Sequence, residues 1–358
     1  MSKPLKVGLV GTGSISKFHL SAYLEHADRV QLTAVCDIDP LMAQAFAREA
    51  GVEKIYLDYD DMLREADIDA VDICTGHNHH APQAIAAAAA GKHVIVEKAM
   101  SNTLQDCRAM IEAADKAGVT LMVGQHLRYS PEAYAVKRLI ADGKLGEIQA
   151  ARTHVFRQGP PEKSWYTDGK AGGGVLQLNT VHYIDLLRYY VGNVKRVTGV
   201  CRSVQPQMTN GADDLVAATL EFENGAIGDL FSSWTTYLVP EASSYMVLGS
   251  KGSVHSTPPE TANDDSPIRH FGNVMFAEKE DAPDRERQMN PPFEPLDTRG
   301  FVLPNTSFFV NEILYFEECI RTGSEPLSSG RDNIETMKVV IGILESSRTG
   351  KSVDIADL

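Results

Sequence analysis

The stretch KVGLVGTGSISKFHLSAYLEHADRVQLTAVCDID, residues 6–39, predicts how the chain begins to fold. Its first apolar run stops at Gly11-Thr12-Gly13, and a helical pattern begins at Ser14. Glycines at a strand-to-helix turn let the backbone approach a pyrophosphate, and the N–H groups that open the helix, at Ser14 and Ile15, receive the anion. A second apolar run ends in Asp37, where a carboxylate accepts hydrogen bonds from the adenosine ribose. Strand, glycine turn, helix, strand and acid in this order predict a dinucleotide site.

The residue after Asp37 indicates which form of the cofactor is bound. Ile38 stands where proteins that bind NADP often carry an arginine. A 2′-phosphate beside a carboxylate meets like-charge repulsion, and no cation adjoins Asp37 in the sequence. The sequence therefore predicts NAD in preference to NADP.

Composition excludes several classes of function. The chain has 358 residues, 43% of them hydrophobic, and a net charge of −14, which argues against binding nucleic acid or an anionic membrane. We expect no secretory signal, because the N-terminal residues lead directly into the first apolar run, and no membrane span. The five cysteines are widely spaced and odd in number, which favours reduced thiols in a cytoplasm.

Apolar runs and helical patterns alternate up to about residue 126, which predicts a doubly wound parallel α/β sheet, a Rossmann domain, over 1–126. Longer alternating segments predict an α+β domain with a large, mostly antiparallel sheet over 127–358. Asn224-Gly225 predicts a hairpin with a type I′ turn in that sheet. An open sheet needs a cover, so we expect a homodimer or homotetramer. The proline-rich and charged segment 257–300 is interpreted as a surface insertion, or as a lid or a subunit-contact arm.

Glu97-Lys98 directly follows a buried strand, at the edge where such sheets bind ligands. A partly buried lysine near the nicotinamide has a lowered pKa and can donate to, or stabilise, an alkoxide or carbonyl oxygen. The alternative is a structural ion pair of Lys98 with Glu97 or with a cofactor phosphate.

Six motifs along the chain resemble the Gfo/Idh/MocA family of oxidoreductases, which includes glucose–fructose oxidoreductase and inositol 2-dehydrogenase. The resemblance implies a nicotinamide cofactor, a sugar or cyclic polyol substrate, and dimers or tetramers joined through the second-domain sheet. The motifs are GLVGTGSIS at 8–16, VDICTGHNHHAP at 71–82, GKHVIVEKAM at 91–100, VGQHLRYSP at 123–131, AGGGVLQLNTVHYIDLLRYYVG at 171–192 and ESSRTGKSV at 345–353.

The resemblance also implies roles for single residues. Lys98 matches the catalytic lysine of the family's EKP motif, and His182 matches the histidine interpreted as the acid/base. The cofactor side comprises, besides the residues of the opening stretch, Thr75, Gly76, His77, His80, Glu97, Lys98 and His126. The substrate side comprises Arg128, Tyr166, Asn179 and Asp185.

The chain departs from the family's pattern at three of these motifs. Ala99 replaces the proline of EKP, Leu178 stands where many members have an aspartate four residues before His182, and Tyr166 stands where many have an arginine. Asp185 or Asn179 must then orient His182, or His182 is oriented less well. The histidines at 77, 79 and 80 match no common zinc spacing, so we expect no metal.

Together these observations predict an NAD(P)-dependent dehydrogenase that oxidises a secondary alcohol of a sugar, cyclitol or related cyclic diol. Two alternatives stay open. One is a glycoside hydrolase or lyase that uses NAD in a transient oxidation, and the other is a non-catalytic sensor of cofactor and sugar. Net NADH production would argue against the first, and turnover that depends on Lys98 would argue against the second.

Overall fold

The computed structural model describes residues 3–160, 162–235, 242–257, 273–281, 284–298, 303, 305 and 307–358. The chain divides into two compact units, Met1–Ser130 with Leu303–Met337, and Pro131–Val302 with Lys338–Leu358.

The strands, in chain order, are β1 (Leu5–Val10), β2 (Val30–Cys36), β3 (Lys54–Tyr56), β4 (Ala70–Ile73), β5 (His93–Glu97), β6 (Leu121–Gly124), β7 (Ile148–Phe156), β8 (Val194–Arg202), β9 (Leu215–Phe222), β10 (Ile227–Ser233), β11 (Ala242–Gly249), β12 (Gly252–Ser256), β13 (Val274–Glu278), β14 (Glu294–Pro295) and β15 (Val353–Asp354). The α-helices are α1 (Ser16–Glu25), α2 (Pro40–Ala50), α3 (Tyr59–Glu65), α4 (His77–Ala89), α5 (Leu104–Ala117), α6 (Pro131–Ala141), α7 (Val181–Val191), α8 (Arg285–Met289), α9 (Phe308–Thr322) and α10 (Gly330–Thr349). Short 3₁₀ turns are His126–Tyr129, Trp165–Thr167, Gly169–Ala171, Lys279–Asp281 and Ile355–Asp357, and a π-helical turn is Leu176–Thr180.

The first unit contains the predicted Rossmann sheet. Within the described residues it has six parallel strands in the order β3-β2-β1-β4-β5-β6. The strand order reverses between β1 and β4, and a crevice at such a point, beyond the carboxyl ends of the strands, is where these sheets bind ligands. The apolar runs predicted as buried strands are buried, since Val7, Leu9 and Ile95 are at most 1% exposed.

A late segment of the chain completes the core of this first unit. Val310, Ile313 and Phe316 of α9 belong to the same buried cluster as Leu20 of α1. The predicted division, 1–126 and 127–358, therefore differs from the observed one at residues 127–130 and in the segment 303–337. The amphipathic pattern of α9 requires a partner surface, but the pattern alone does not specify which sheet supplies it.

The second unit contains the predicted large sheet, with nine strands among the described residues, in the order β14-β13-β12-β11-β7-β10-β9-β8-β15. The β7–β10 pair is parallel and the other pairs are antiparallel. Burial alternates along β9, so one face is core and the other is exposed. On the inner face, a Cβ added at Gly199 of β8 would meet Ile343 of α10 at 2.9 Å.

The hairpin between β9 and β10 is confirmed, but its predicted type I′ turn is wrong. That turn needs a positive φ at both central residues. Gly225 has φ of +88°, whereas Asn224 is not among the residues with positive φ. Gly225 N–H donates to Phe222 O at 3.0 Å and Phe222 N–H to Ala226 O at 2.9 Å, which is the pattern of a three-residue loop ending in a left-handed glycine.

Part of the segment 257–300 belongs to the sheet. β13 pairs with β12 in antiparallel register, and β14 adds two residues at the edge. Residues 258–272, 282–283 and 299–300 lie outside the described residues, so the expectation of an insertion, lid or arm is untested there. Among the described helices, none combines the length and the apolar character that crossing a membrane requires.

Candidate active site

The glycine turn that follows β1 packs against the end of β4. Gly11 has φ of +88°, and an added Cβ would lie 2.8 Å from the Cys74 carbonyl carbon and from Thr75 Cγ2. An added Cβ on Gly13, in contrast, would meet nothing within 4 Å. Ser16 hydroxyl donates to Gly13 O at 2.7 Å, which holds the turn to the first residue of α1. Gly11 is therefore required by packing, whereas the space at Gly13 is open.

Asp37 follows β2 and is held by the glycine turn. Its Oδ2 accepts from the backbone N–H of Thr12 at 2.7 Å and from the Thr12 hydroxyl at 2.8 Å. Its Oδ1 accepts from the backbone N–H of Asp39 at 3.0 Å. Ile38 beside it is 91% exposed. The carboxylate is thus fixed next to the turn, with oxygen lone pairs left for further donors.

Thr75 and Gly76 follow β4, and the first turn of α4 holds two buried histidines. His77 Nε2 accepts from the backbone N–H of Ala99 at 3.1 Å. The His80 nitrogens face the carbonyl oxygens of Ala99 and Thr75 at 2.8 Å and 3.0 Å. Burial lowers the pKa of His80, against the two carbonyl groups that would raise it. Both rings therefore support the backbone around Ala99, which is joined to Lys98 by a cis peptide bond.

Glu97 and Lys98 stand at the carboxyl end of β5. Lys98 is half-buried, and its backbone N–H donates to Glu97 Oε2 at 3.1 Å. The other carboxylate oxygen of Glu97 lies 3.2 Å from Nε2 of His19, a buried residue of α1. The carboxylate of Glu97 is thus directed into the unit.

His126 and Arg128, in the turn after β6, are both buried. The His126 ring stacks on Phe308 and lies against Phe309, with ring centroids 4.9 Å and 4.5 Å away. Arg128 donates to the Leu327 carbonyl at 2.6 Å and pairs with Asp332 at 2.7 Å. The Arg128 guanidinium thus holds the loop before α10, and its contact with substrate stays a prediction.

His182 and Asp185 lie in the first turn and a half of α7, and both are buried. Residues 176–191 form a π-helical turn, Leu176–Thr180, followed directly by α7. Such π segments recur at functional sites because they alter where side chains project. Leu178, in the position of the family aspartate, is buried and supplies no polar group.

Two other predicted substrate residues have protein partners in the second unit. Asn179 Oδ1 accepts from the indole N–H of Trp234 at 2.7 Å. Tyr166 lies in the 3₁₀ turn Trp165–Thr167, 37% exposed, with its ring 4.3 Å from that of Trp165. Asn179 therefore fixes Trp234 through the oxygen that would otherwise be free to bind a ligand.

Asp213, which no motif indicated, caps the helix that carries His182. Its Oδ2 accepts from the backbone N–H of Leu176 at 2.9 Å, and its backbone carbonyl accepts from Val175 at 2.8 Å. Burial raises the pKa of Asp213 to about 7. Gly174, with φ of +112°, makes this approach possible, since its Cβ would lie 2.6 Å from Asp213 Oδ1. The signal in the sequence that could have indicated this cap is the pair of adjacent acids, Asp213-Asp214, before an apolar strand.

A second group that sequence reasoning missed is the buried His19 with Asp72. The signal was Asp72 itself, a charged residue inside the apolar strand β4, since a buried carboxylate requires a partner. His19 Nδ1 lies 2.9 Å from Asp72 Oδ2.

The first unit fits a bound NAD. The open space at Gly13, the N–H groups that open α1 and the fixed carboxylate of Asp37 match the pyrophosphate and the ribose. Thr75 and Lys98 follow β4 and β5 at the same edge of the sheet. The residues that would hold the cofactor thus come from four neighbouring strand ends.

Comparison with known proteins gives two family matches along the chain. Residues 5–125 match the model of an oxidoreductase family with an NAD-binding Rossmann fold, and residues 134–255 match the GFO/IDH/MocA C-terminal domain.

Individual relatives extend over nearly the whole chain. D-apiose dehydrogenase of Paraburkholderia graminis is 28% identical, over 99% of this chain and 91% of that protein. The NAD⁺-dependent scyllo-inositol 2-dehydrogenase of Bacillus subtilis is also 28% identical, over 99% of this chain and 97% of that protein. Among solved structures, levoglucosan dehydrogenase with NADH and levoglucosan is similar, with a TM-score of 0.87, 25% identity, and coverage of 98% of this chain and 99% of that one.

Proposed function

We propose, since this chain belongs to the GFO/IDH/MocA family of oxidoreductases, that it is an NAD-dependent dehydrogenase of a sugar, cyclitol or related cyclic diol. The relatives that span it include dehydrogenases of apiose and scyllo-inositol. The observation that carries the proposal is the carboxyl edge of the first sheet, where the glycine turn, Asp37, Thr75 and Lys98 each follow a strand.

We assign the chemistry to two residues. Lys98 donates to the alcohol oxygen and stabilises the negative charge that develops on it. His182 accepts the hydroxyl proton, as a general base. The bound nicotinamide supplies the hydride acceptor. Because Leu178 brings no carboxylate and Asn179 is bonded to Trp234, Asp185 is the residue we assign to orient His182.

The test is a screen for NADH absorbance with purified protein, against sugars, inositols, sugar acids and cis-diols, each with NAD and NADP. His182→Ala should lower kcat by about 10² to 10⁴ and leave NAD affinity unchanged, because it removes a general base. Lys98→Ala should lower kcat by at least the same factor. Arg138→Ala, at an exposed position on α6, is the control and should keep full turnover.

The same screen separates the alternatives. Bond cleavage in a glycoside without net NADH would favour the hydrolase or lyase. Binding of NAD and sugar without any turnover would favour the sensor. Near-wild-type turnover by Lys98→Ala or His182→Ala would contradict the role assigned to that residue.

We further propose a cytoplasmic homodimer or homotetramer. All five cysteines are free thiols, as expected in a reducing compartment. The exposed face of the second sheet carries Val200, Ile227 and Phe231, which are 47%, 59% and 40% exposed. A sheet face with such residues is a suitable subunit interface.

A further inference from the structure

A charged residue interrupts the apolar strand β4. Asp72 lies between Val71 and Ile73 and is fully buried. Its Oδ2 accepts from the Tyr23 hydroxyl at 2.8 Å and faces Nδ1 of His19 at 2.9 Å. Burying a carboxylate is costly unless it is paired and hydrogen-bonded. The buried Asp72 carboxylate therefore requires hydrogen-bond donors, and this requirement determines where His19 lies.

The other nitrogen of His19 faces a second carboxylate. Nε2 lies 3.2 Å from Glu97 Oε1, and the ring is fully buried. A neutral imidazole has one N–H, so only the imidazolium can donate to Asp72 and Glu97 together. Glu312 of α9 adds a third acid. A ring nitrogen of His19 and one carboxylate oxygen each of Glu97 and Glu312 all lie within 4.8 Å of one another.

Two further neighbours of the His19 ring are neutral. Cys74 Sγ, at the end of β4, lies 3.7 Å from His19 Nδ1, and the Phe309 ring is 5.7 Å away between centroids. Burial raises the pKa of Cys74, so it stays a thiol. Burial alone would lower the pKa of His19, but the Asp72 carboxylate holds this pKa well above its ordinary value.

Glu97 connects this ring to Lys98. Its Oε2 accepts from the backbone N–H of Lys98 at 3.1 Å. On the other side, a Cβ added at Gly124 of β6 would come within 3.0 Å of Glu97 Oε1, so the neighbouring strand leaves the carboxylate little room. The Glu97 side chain is thus held between His19 and β6, and it in turn holds the first backbone group of Lys98.

We propose that His19 is a positioning residue for Lys98: its buried imidazolium anchors Glu97 and thereby fixes the backbone from which Lys98 projects. The role assigned to His19 rests on the proposed function of Lys98. His19 acts through Glu97 and makes no contact with substrate. A shift of about 1 Å in a reacting group can cost about 10²-fold in rate, so a positioning residue has a measurable effect on kcat.

The experiment compares His19→Gln with His93→Gln in the full chain. His93 lies at the amino end of β5, the opposite end of that strand from Lys98, and its Nδ1 accepts from the backbone N–H of Thr120 at 3.0 Å. His19→Gln should lower kcat about 10- to 100-fold with unchanged NAD affinity, and His93→Gln should keep the wild-type kcat. Turnover is measured with the alcohol that gives the highest NADH rate in the screen.

Coupling in kcat separates positioning from general loss of stability. Glu97→Gln should also lower kcat, and the double variant His19→Gln/Glu97→Gln should lose no more than the worse single variant, because both act through one contact. Additive losses would overturn the proposal. If Lys98→Ala keeps its turnover, the proposed function is at fault; if it loses turnover while His19→Gln does not, this inference is wrong.

A measurement on the wild type needs neither substrate nor variant. Nitrogen-15 spectra of histidine-labelled protein at pH 8, with His19 assigned through its contact with the Phe309 ring, should show both ring nitrogens protonated. A neutral His19 ring would overturn the proposal even if His19→Gln failed to fold.

Discussion

We propose that Asp37 decides between two cofactors that differ by one phosphate. Its oxygens are held by Thr12 and Asp39, so its charge stays beside the glycine turn, where we propose that the adenosine ribose binds. We expect NAD to be preferred over NADP by about a hundredfold in kcat/KM, because the 2′-phosphate would meet a fixed carboxylate. Asp37→Ser should narrow this gap, measured with both cofactors.

The matched control for that change is Asp60→Ser, at a carboxylate in the first turn of α3. It should leave the preference unchanged. A wild type with higher kcat and lower KM for NADP would contradict the prediction.

Asp213 makes the stability of the second unit depend on pH. Its pKa is raised from 3.8 to about 7 by burial, so the folded state binds the proton more tightly than the unfolded chain does. The free energy of unfolding contributed by this group therefore falls as pH rises from about 4 to about 7, by at most about 4 kcal/mol. Asp213→Asn should remove this slope in urea unfolding curves recorded between pH 4 and 8. Asp142→Asn, at an exposed site, should keep it, and an unchanged slope in Asp213→Asn would contradict the prediction.

At the scale of elements, the two glycines of the first turn should separate folding from binding. Gly11→Ala should lower the melting temperature, because φ is positive and the new Cβ would lie 2.8 Å from the Cys74 backbone. Gly13→Ala should keep the melting temperature and weaken NAD binding, since its Cβ enters open space that we assign to the pyrophosphate. Thermal unfolding and fluorescence titration with NAD measure the two effects. Tight NAD binding by Gly13→Ala would contradict the assignment.

The elements of the first sheet could be predicted because their signals are local. A buried strand, a glycine turn and an acid at the next strand end all lie within residues 6–39. The π-helical turn at Leu176–Thr180 could not be predicted, since it depends on the cap that Asp213 supplies from 37 residues away. The ion pair of Arg128 could not be predicted either, because its partner Asp332 lies in the late segment 303–337. Contacts between residues far apart in the sequence determine the structure of these sites. Hydrophobic periodicity does not indicate which distant residues meet.

At the scale of the whole molecule, the exposed sheet face should form a subunit interface. The wild type is expected to be a dimer or tetramer by light scattering at micromolar concentration. Phe231→Asp should yield monomers, because a buried, unpaired carboxylate disfavours the interface. Leu41→Asp, at a residue of α2 that is 75% exposed, should leave the assembly unchanged. A monomeric wild type would contradict the prediction.

The late position of α9 in the chain has a consequence during translation. Residues 1–130 leave the ribosome with an apolar surface on Leu20, Tyr23 and Val30 that α9 covers only later. At about 5 to 20 residues per second, the nascent chain waits about 10 to 40 s for that helix. During this time the half-made nucleotide unit exposes the kind of surface that chaperones bind. The first unit therefore cannot finish folding until residues 303–337 have been synthesised, although its first 130 residues are made first.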